Sequence, residues 1–165
     1  MSQHPAVTKL RSDVQLLNEA GQETLQIDHG FVIGNLLVLV ESKSHVKTAG
    51  YLVAHDHGFK VRARKPIQDL LPDRDRKLSE LRDQIGREWR PATPRQALYV
   101  LCTSEVEYIP SDDQELWLDR NRDIPRVCTL KELLEWLDDL DTAAMTSHPA
   151  CVPLTYPGDR TGPAC

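Results

Sequence analysis

Asp28, Glu41 and Lys43 are the residues whose types and spacing could carry chemistry in this chain of 165 residues. They belong to the stretch Gln26–Lys43, which reads as two apolar strands joined at Gly34-Asn35, a dipeptide suited to the positive φ of a tight hairpin. With Gly34-Asn35 as the loop, Ile33 faces Leu36. The same register sets Asp28 opposite Glu41 and Gln26 opposite Lys43. Directly paired residues point to one face of a sheet, so these four polar side chains are expected to converge at one end of the hairpin. Magnesium is commonly held by one or two carboxylates while it keeps several waters. Such an ion acidifies bound water and stabilises charge on a phosphoryl oxygen, and a lysine beside it orients the attacking water or offsets negative charge. The residue types are those of metal-assisted phosphodiester hydrolysis. They are equally those of a partly solvated cross-strand charge cluster that contributes little to stability. Spacing alone does not choose between the two.

The elements that must position these residues follow from the pattern on either side. Residues 1–11 read as a polar lead-in, Asp13 to Asn18 as a strand, and Glu19 to Gln22 as the turn into the hairpin. After Lys43, Gly50 to Ala54 and Phe59 to Arg64 read as a second hairpin about Asp56-His57-Gly58. Pro66 and Pro72 bracket a connector. From about Asp73 to Trp89 the periodicity is helical, with Leu78, Leu81, Ile85 and Trp89 on one stripe. Gln96 to Thr103 is nearly all apolar and reads as a buried strand. A short strand is expected at Leu116 to Leu118. Thr129-Leu130-Lys131-Glu132 is a capping box that starts a helix running to about Leu140, with Leu130, Leu133, Leu134 and Leu137 inward. Residues 142–165, with four prolines, two glycines and no periodicity, read as a flexible tail. Strands, helix, strand and helix in that order predict an α/β sheet with helices packed on it.

Composition sets the outer bounds. Hydrophobic content of 40% and charged content of 27% are ordinary for one globular domain. The longest apolar run, Phe31 to Val40, is interrupted by the turn and far too short to span a bilayer. No signal peptide is visible, and Cys102, Cys128, Cys151 and Cys165 form no Cys-x-x-Cys pair. A cytoplasmic protein with free thiols is expected. The net charge of −5 argues against a protein that simply coats nucleic acid. Residues 1–65 nevertheless carry eight Lys/Arg against six Asp/Glu, while residues 66–141 carry eleven against eighteen. A phosphate-rich partner is therefore expected to meet the first half.

The Asp…Glu-x-Lys pattern on a hairpin resembles the PD-(D/E)XK nuclease superfamily. Gln26-Ile27-Asp28-His29, followed by an apolar hairpin ending Glu41-Ser42-Lys43, is similar to the nuclease-related domain (NERD) family. The likeness extends over roughly residues 12–140. It takes in the charged helix 73–89, the apolar strand Gln96 to Thr103, and Arg126-Val127-Cys128-Thr129 leading into the last helix. This resemblance implies a restriction-endonuclease-like mixed central sheet flanked by helices, formed by residues 1–141. It also implies Asp28 and Glu41 as ligands of Mg²⁺ (or Mn²⁺), Lys43 as the catalytic lysine, and DNA as substrate, with Gln26 contacting water or phosphate. The chain departs from the family at its start, where a helix carrying a glycine-glutamate motif is the rule. That helix reads as shortened or missing here, and with it a third carboxylate. Two classes of function follow: metal-dependent hydrolysis of DNA, or a catalytically silent nucleic-acid-binding or interaction module that keeps the nuclease fold.

The remaining candidates are weaker. Lys60, Arg62 and Arg64 share one face of a strand and could neutralise phosphates, or simply protect a sheet edge. His29 shares a face with Ile27 and Phe31 and reads as a hydrogen-bonded packing residue. His45, His55 and His57 have no cysteine pair nearby and read as loop residues rather than zinc ligands.

Overall fold

The computed structural model describes residues 7–43, 66–90, 92–104, 114–145 and 147–156. Strands β1 (Val7–Leu17), β2 (Glu23–Ile33) and β3 (Leu36–Lys43) form an antiparallel meander, and β4 (Gln96–Thr103) runs parallel to β3. The connection from β3 to β4 contains a π-helical turn at Pro66–Leu70, then α1 (Leu71–Glu80) and α2 (Arg82–Glu88), which are separated by a break at Leu81. A small ribbon of β5 (Trp117–Asp119) and β6 (Ile124–Pro125) follows. After it, β7 (Val127–Thr129) rejoins the main sheet parallel to β4. The chain continues through α3 (Leu130–Asp138), α4 (Thr142–Met145) and β8 (Val152–Pro153). The sheet order is β1-β2-β3-β4-β7, with β8 antiparallel to the first residues of β4. The fold is thus α/β, a mixed central sheet flanked by helices.

The hairpin register is the one expected from its turn. Ile33 pairs Leu36, and the ladder continues in step to His29 and Val40. Gly34 alone of the two loop residues takes a positive φ, 55°. β3 and β4 are buried on both faces, which is why Leu36 to Val40 and Ala97 to Leu101 are unbroken apolar runs rather than alternating ones. On one face Phe31, Ile33, Val38, Val40 and Val100 pack against Leu133, Trp136 and Leu137 of α3. On the other, Ile27, Val32, Leu37, Leu39 and Tyr99 pack against Leu78, Ile85 and Trp89.

Two contacts fix the second face. Trp89 lies directly over Gly30, where an added Cβ would come within 2.3 Å of the indole, so that position admits only glycine. Arg126, 1% exposed, donates from Nε and Nη2 to the Tyr99 carbonyl and from Nη1 to the Glu115 carbonyl. Its guanidinium also meets the Asp75 carboxylate at 2.7 and 3.1 Å. One buried cation thereby joins β4, the segment before β5, and α1.

Several boundaries and faces differ from expectation. β1 begins at Val7 rather than Asp13, because the backbone of its polar first half pairs with Phe31 to Ile33 whatever the side chains are. Helical geometry begins at Pro66, with Pro72 in the first turn of α1, where a missing N–H costs nothing. The capping box at Thr129 and Glu132 forms as expected. However, Leu130 and Leu134 are 48% and 47% exposed, and Trp136 takes the inward position beside Leu133 and Leu137. A nine-residue helix packs through one narrow stripe, and the wider apolar face overran it.

Residues 142–156 belong to the folded body rather than to a loose tail. Met145 and Ala150 join the α3 side of the core, and Leu154 and Tyr156 join the α2 side. The Tyr156 hydroxyl donates to the Pro94 carbonyl. Prolines hid this segment's role, since an edge strand accepts Pro153 and needs no periodicity. Cys102 and Cys128 stand opposite each other on β4 and β7 as free thiols, and burial pushes both thiols above their ordinary range.

Gly30→Ala is expected to destabilise the fold by about 1–3 kcal/mol through overpacking against Trp89. Asp75→Ala, which strands the Arg126 guanidinium, is expected to cost about 3 kcal/mol. Urea midpoints with unchanged m-values check both. A wild-type midpoint for Asp75→Ala would show that Arg126 is satisfied by carbonyls alone.

Candidate functional site

The candidate site lies where the hairpin ladder ends. Its last backbone pair is His29 with Val40, one step short of Asp28 and Glu41. The next amide along β3, Ser42 N–H, donates instead to Asp28 Oδ2 at 2.8 Å. The cause is visible in the neighbouring pair of strands. The β1–β2 ladder passes over Asp13 and Asp28, and Asp13 has a left-handed φ of 52°. Before that point Lys9 and Arg11 face the α2 side, where Lys9 Nζ donates to the Glu88 and Arg90 carbonyls and Arg11 sits 5.5 Å from the Trp89 ring. After it, Val14 and Leu16 do. On β2, likewise, Gly30 and Val32 face α2, and so do Leu25 and Ile27. The alternation of faces is therefore reset across Asp28 and His29, a shift that strict period-two parity cannot show.

This reset decides which predicted residues meet. Gln26, between the inward Leu25 and Ile27, is exposed and points away from the α1 side, so it does not join Glu41 and Lys43. His29 is exposed as well, and its Nδ1 lies 3.0 Å from the Ser12 hydroxyl rather than in the core. Asp28, Glu41 and Lys43 remain at the same corner. Lys60, Arg62 and Arg64, with His45, His55 and His57, lie outside the described residues.

Glu41 is the centre of the corner and is 3% exposed. Arg74, from the first turns of α1, grips it with two parallel bonds: Nε to Oε2 at 3.1 Å and Nη2 to Oε1 at 2.9 Å. Lys43 Nζ adds a third contact, 2.6 Å from Oε1, and keeps 38% of its side chain exposed. Burial works against ionisation of Glu41, but the bonds from Arg74 and Lys43 outweigh it and hold the carboxyl below its ordinary range. Tyr99 comes from β4, paired with Leu39 on the same face as Glu41. Its hydroxyl is buried without a hydrogen-bond partner among the described residues. Burial, followed by the negative charge of Glu41, pushes this phenol well above its ordinary value, and Asp28 adds to the effect.

Arg74 and Tyr99 did not stand out in the sequence, although a signal for Arg74 exists. It lies three residues after Leu71 and four before Leu78, both buried, so a charge there has to find a partner inside. Asp75 sits on the same stripe and meets Arg126 in the same way.

The donor set suits a hard divalent cation in chemistry but not in arrangement. Two carboxylates and a phenol oxygen share the corner, yet both oxygens of Glu41 are already taken by a guanidinium and an ammonium. Two fixed positive charges balance the two carboxylates, and Arg74 is where a Glu41-bound cation would have to be. As arranged, the residues do not fit magnesium or manganese. What the corner presents outward is the half-exposed Lys43 ammonium. No protein-family model, curated protein or solved structure matches this chain. Among the described residues, no helix is long and apolar enough to cross a membrane.

Because the folded-state pKa of Glu41 is depressed, the ion pair stabilises the fold above the ordinary glutamate value of 4.5 and is lost as pH falls through the lower, folded one. Glu41→Gln is therefore expected to destabilise by about 3 kcal/mol near neutrality. The deficit should shrink on acidification below 4.5 as wild-type Glu41 takes up its proton. Urea titrations of both proteins across the acid range check this, and a deficit that stays constant with pH would assign it to packing rather than charge.

Proposed function

We propose that this chain is a nucleic-acid-binding module with a nuclease-related, restriction-endonuclease-like scaffold whose hydrolytic corner is silent in the state described. One observation carries the silent part: the Glu41 carboxylate is closed by Arg74 and Lys43, leaving neither oxygen for a cation. Support for the scaffold comes from the Asp28…Glu41-x-Lys43 hairpin and from the parallel β3–β4 pair whose connection carries α1 and α2. Support for a nucleic-acid partner comes from the half-exposed Lys43 and from the basic triplet Lys60, Arg62 and Arg64 in the sequence. Contacts of this kind act on phosphates and are independent of base sequence.

Hydrolysis of DNA with Mg²⁺ or Mn²⁺ is the second reading. It is favoured by the retention of Asp28, Glu41 and Lys43 in one corner beside an unpartnered buried hydroxyl.

A salt titration of binding to labelled duplex and single-stranded DNA without divalent ions separates the two. The expected result is binding that weakens steeply with salt, weakens further when Lys60, Arg62 and Arg64 are all replaced by Ala, and is accompanied by no cleavage with Mg²⁺. Cleavage that needs Mg²⁺ and is abolished by Lys43→Ala would replace the silent reading with the hydrolytic one. Absence of binding at low salt would sink the nucleic-acid assignment altogether.

A further inference from the structure

The charges at the hairpin end are balanced internally, and the manner of balancing has a functional consequence. A surface pair on two flexible side chains exchanges freely with solvent ions. The Glu41–Arg74 pair is of another kind. The carboxylate is almost fully buried, the guanidinium side chain is only 15% exposed, and the two share two near-parallel bonds. Bidentate geometry of this type is the strongest that Arg makes with a carboxylate. Its fixed positive charge also repels any second cation within a few ångströms.

Around this pair the corner keeps features that the pair itself does not use. Asp28 offers a carboxylate whose Oδ2 is engaged only by the Ser42 amide among the described residues. Tyr99 places a fully buried, unpartnered hydroxyl on the Glu41 face of the sheet, where it feels Glu41, Arg74 and Asp28 electrostatically. An orphaned buried hydroxyl is costly, and a core built only for packing would carry phenylalanine there. The backbone is irregular on both sides of the helix that supplies Arg74: a π-helical turn precedes α1 and a break at Leu81 ends it. Such irregular turns are frequent at functional positions.

We propose that Arg74 is an internal latch: its guanidinium occupies the cation position between Asp28, Glu41 and Tyr99, and the corner becomes a divalent-cation site when that side chain is withdrawn. The latch rests on the reading of the corner as a silenced site, and it goes beyond that reading by naming the residue responsible. Arg74 is a positioning residue here, since it acts by holding Glu41.

The test is a Mn²⁺ titration by calorimetry on the full chain, with circular dichroism confirming the fold of each variant. Wild type is expected to take up no Mn²⁺ at this corner. Arg74→Gln, and independently Arg74→Ala, are expected to bind one ion at least about tenfold more tightly than wild type, the least that losing one adjacent positive charge should give. Asp28→Asn combined with Arg74→Gln is expected to abolish that uptake, and Tyr99→Phe in the same background to weaken it. Wild-type binding as tight as that of Arg74→Gln and equally dependent on Asp28 would overturn the latch. Folded Arg74→Gln and Arg74→Ala proteins that both take up no ion would overturn it too. DNA binding measured on the same proteins keeps the two proposals apart. Its loss with Mn²⁺ uptake intact removes the nucleic-acid partner and leaves the latch standing.

Discussion

The architecture depends on two adjacent charges that α1 turns inward. Arg74 closes on Glu41 at the end of β3, and Asp75 closes on Arg126, whose guanidinium also binds carbonyls from β4 and from the segment before β5. A charge buried without a partner would cost several kcal/mol, so neither pair can be half made. Because the two acceptors lie on different elements, satisfying both defines where α1 sits along the sheet and how it is rotated. Leu71 and Leu78 then fall into the core as a consequence. Apolar contacts supply most of the driving force on this face, but they are non-directional. Orientation comes from the ion pairs.

The same constraint shapes the corner that carries the chemistry. Two carboxylates side by side in a low-dielectric environment need positive charge, and either a metal ion or protein cations can supply it. In this chain the protein supplies it. Arg74 provides directionality that a hydrated ion does not, and Lys43 provides the part that reaches solvent. A corner balanced in this way is stable without a ligand, which is consistent with its place at a junction of β2, β3, β4 and α1 that the core needs intact. The cost falls on reactivity, because a carboxylate held by two donors is a poor base and a poor ligand.

The fold was legible from the sequence wherever one local rule decided the outcome. Gly34-Asn35 set the hairpin register because a two-residue loop leaves one pairing. The unbroken run Gln96 to Thr103 became a doubly buried strand because no other secondary structure hides eight such residues so cheaply. Thr129 and Glu132 formed their box because the partners are three residues apart. Legibility failed where two elements had to agree. Parity counted along β2 placed Gln26 beside Glu41 and His29 in the core. The left-handed turn at Asp13, on a different strand, shifts the phase and reverses both assignments. The segment 147–156 has no pattern of its own and is ordered by a groove that exists only once β4 and α2 are in place.

The sequence by itself determined the hairpin, its turn, and the presence of Asp28, Glu41 and Lys43 near one end of it, because these follow from loop length and strand alternation within 18 contiguous residues. Only the tertiary structure decided what those residues do there. Arg74 is 31 residues beyond Lys43, on a helix whose position follows from packing, and nothing local to the hairpin indicates that a guanidinium will occupy its carboxylate. Charge balance in a buried corner is a property of everything that converges on it. The hairpin brings the negative charge, and the fold chooses the cation.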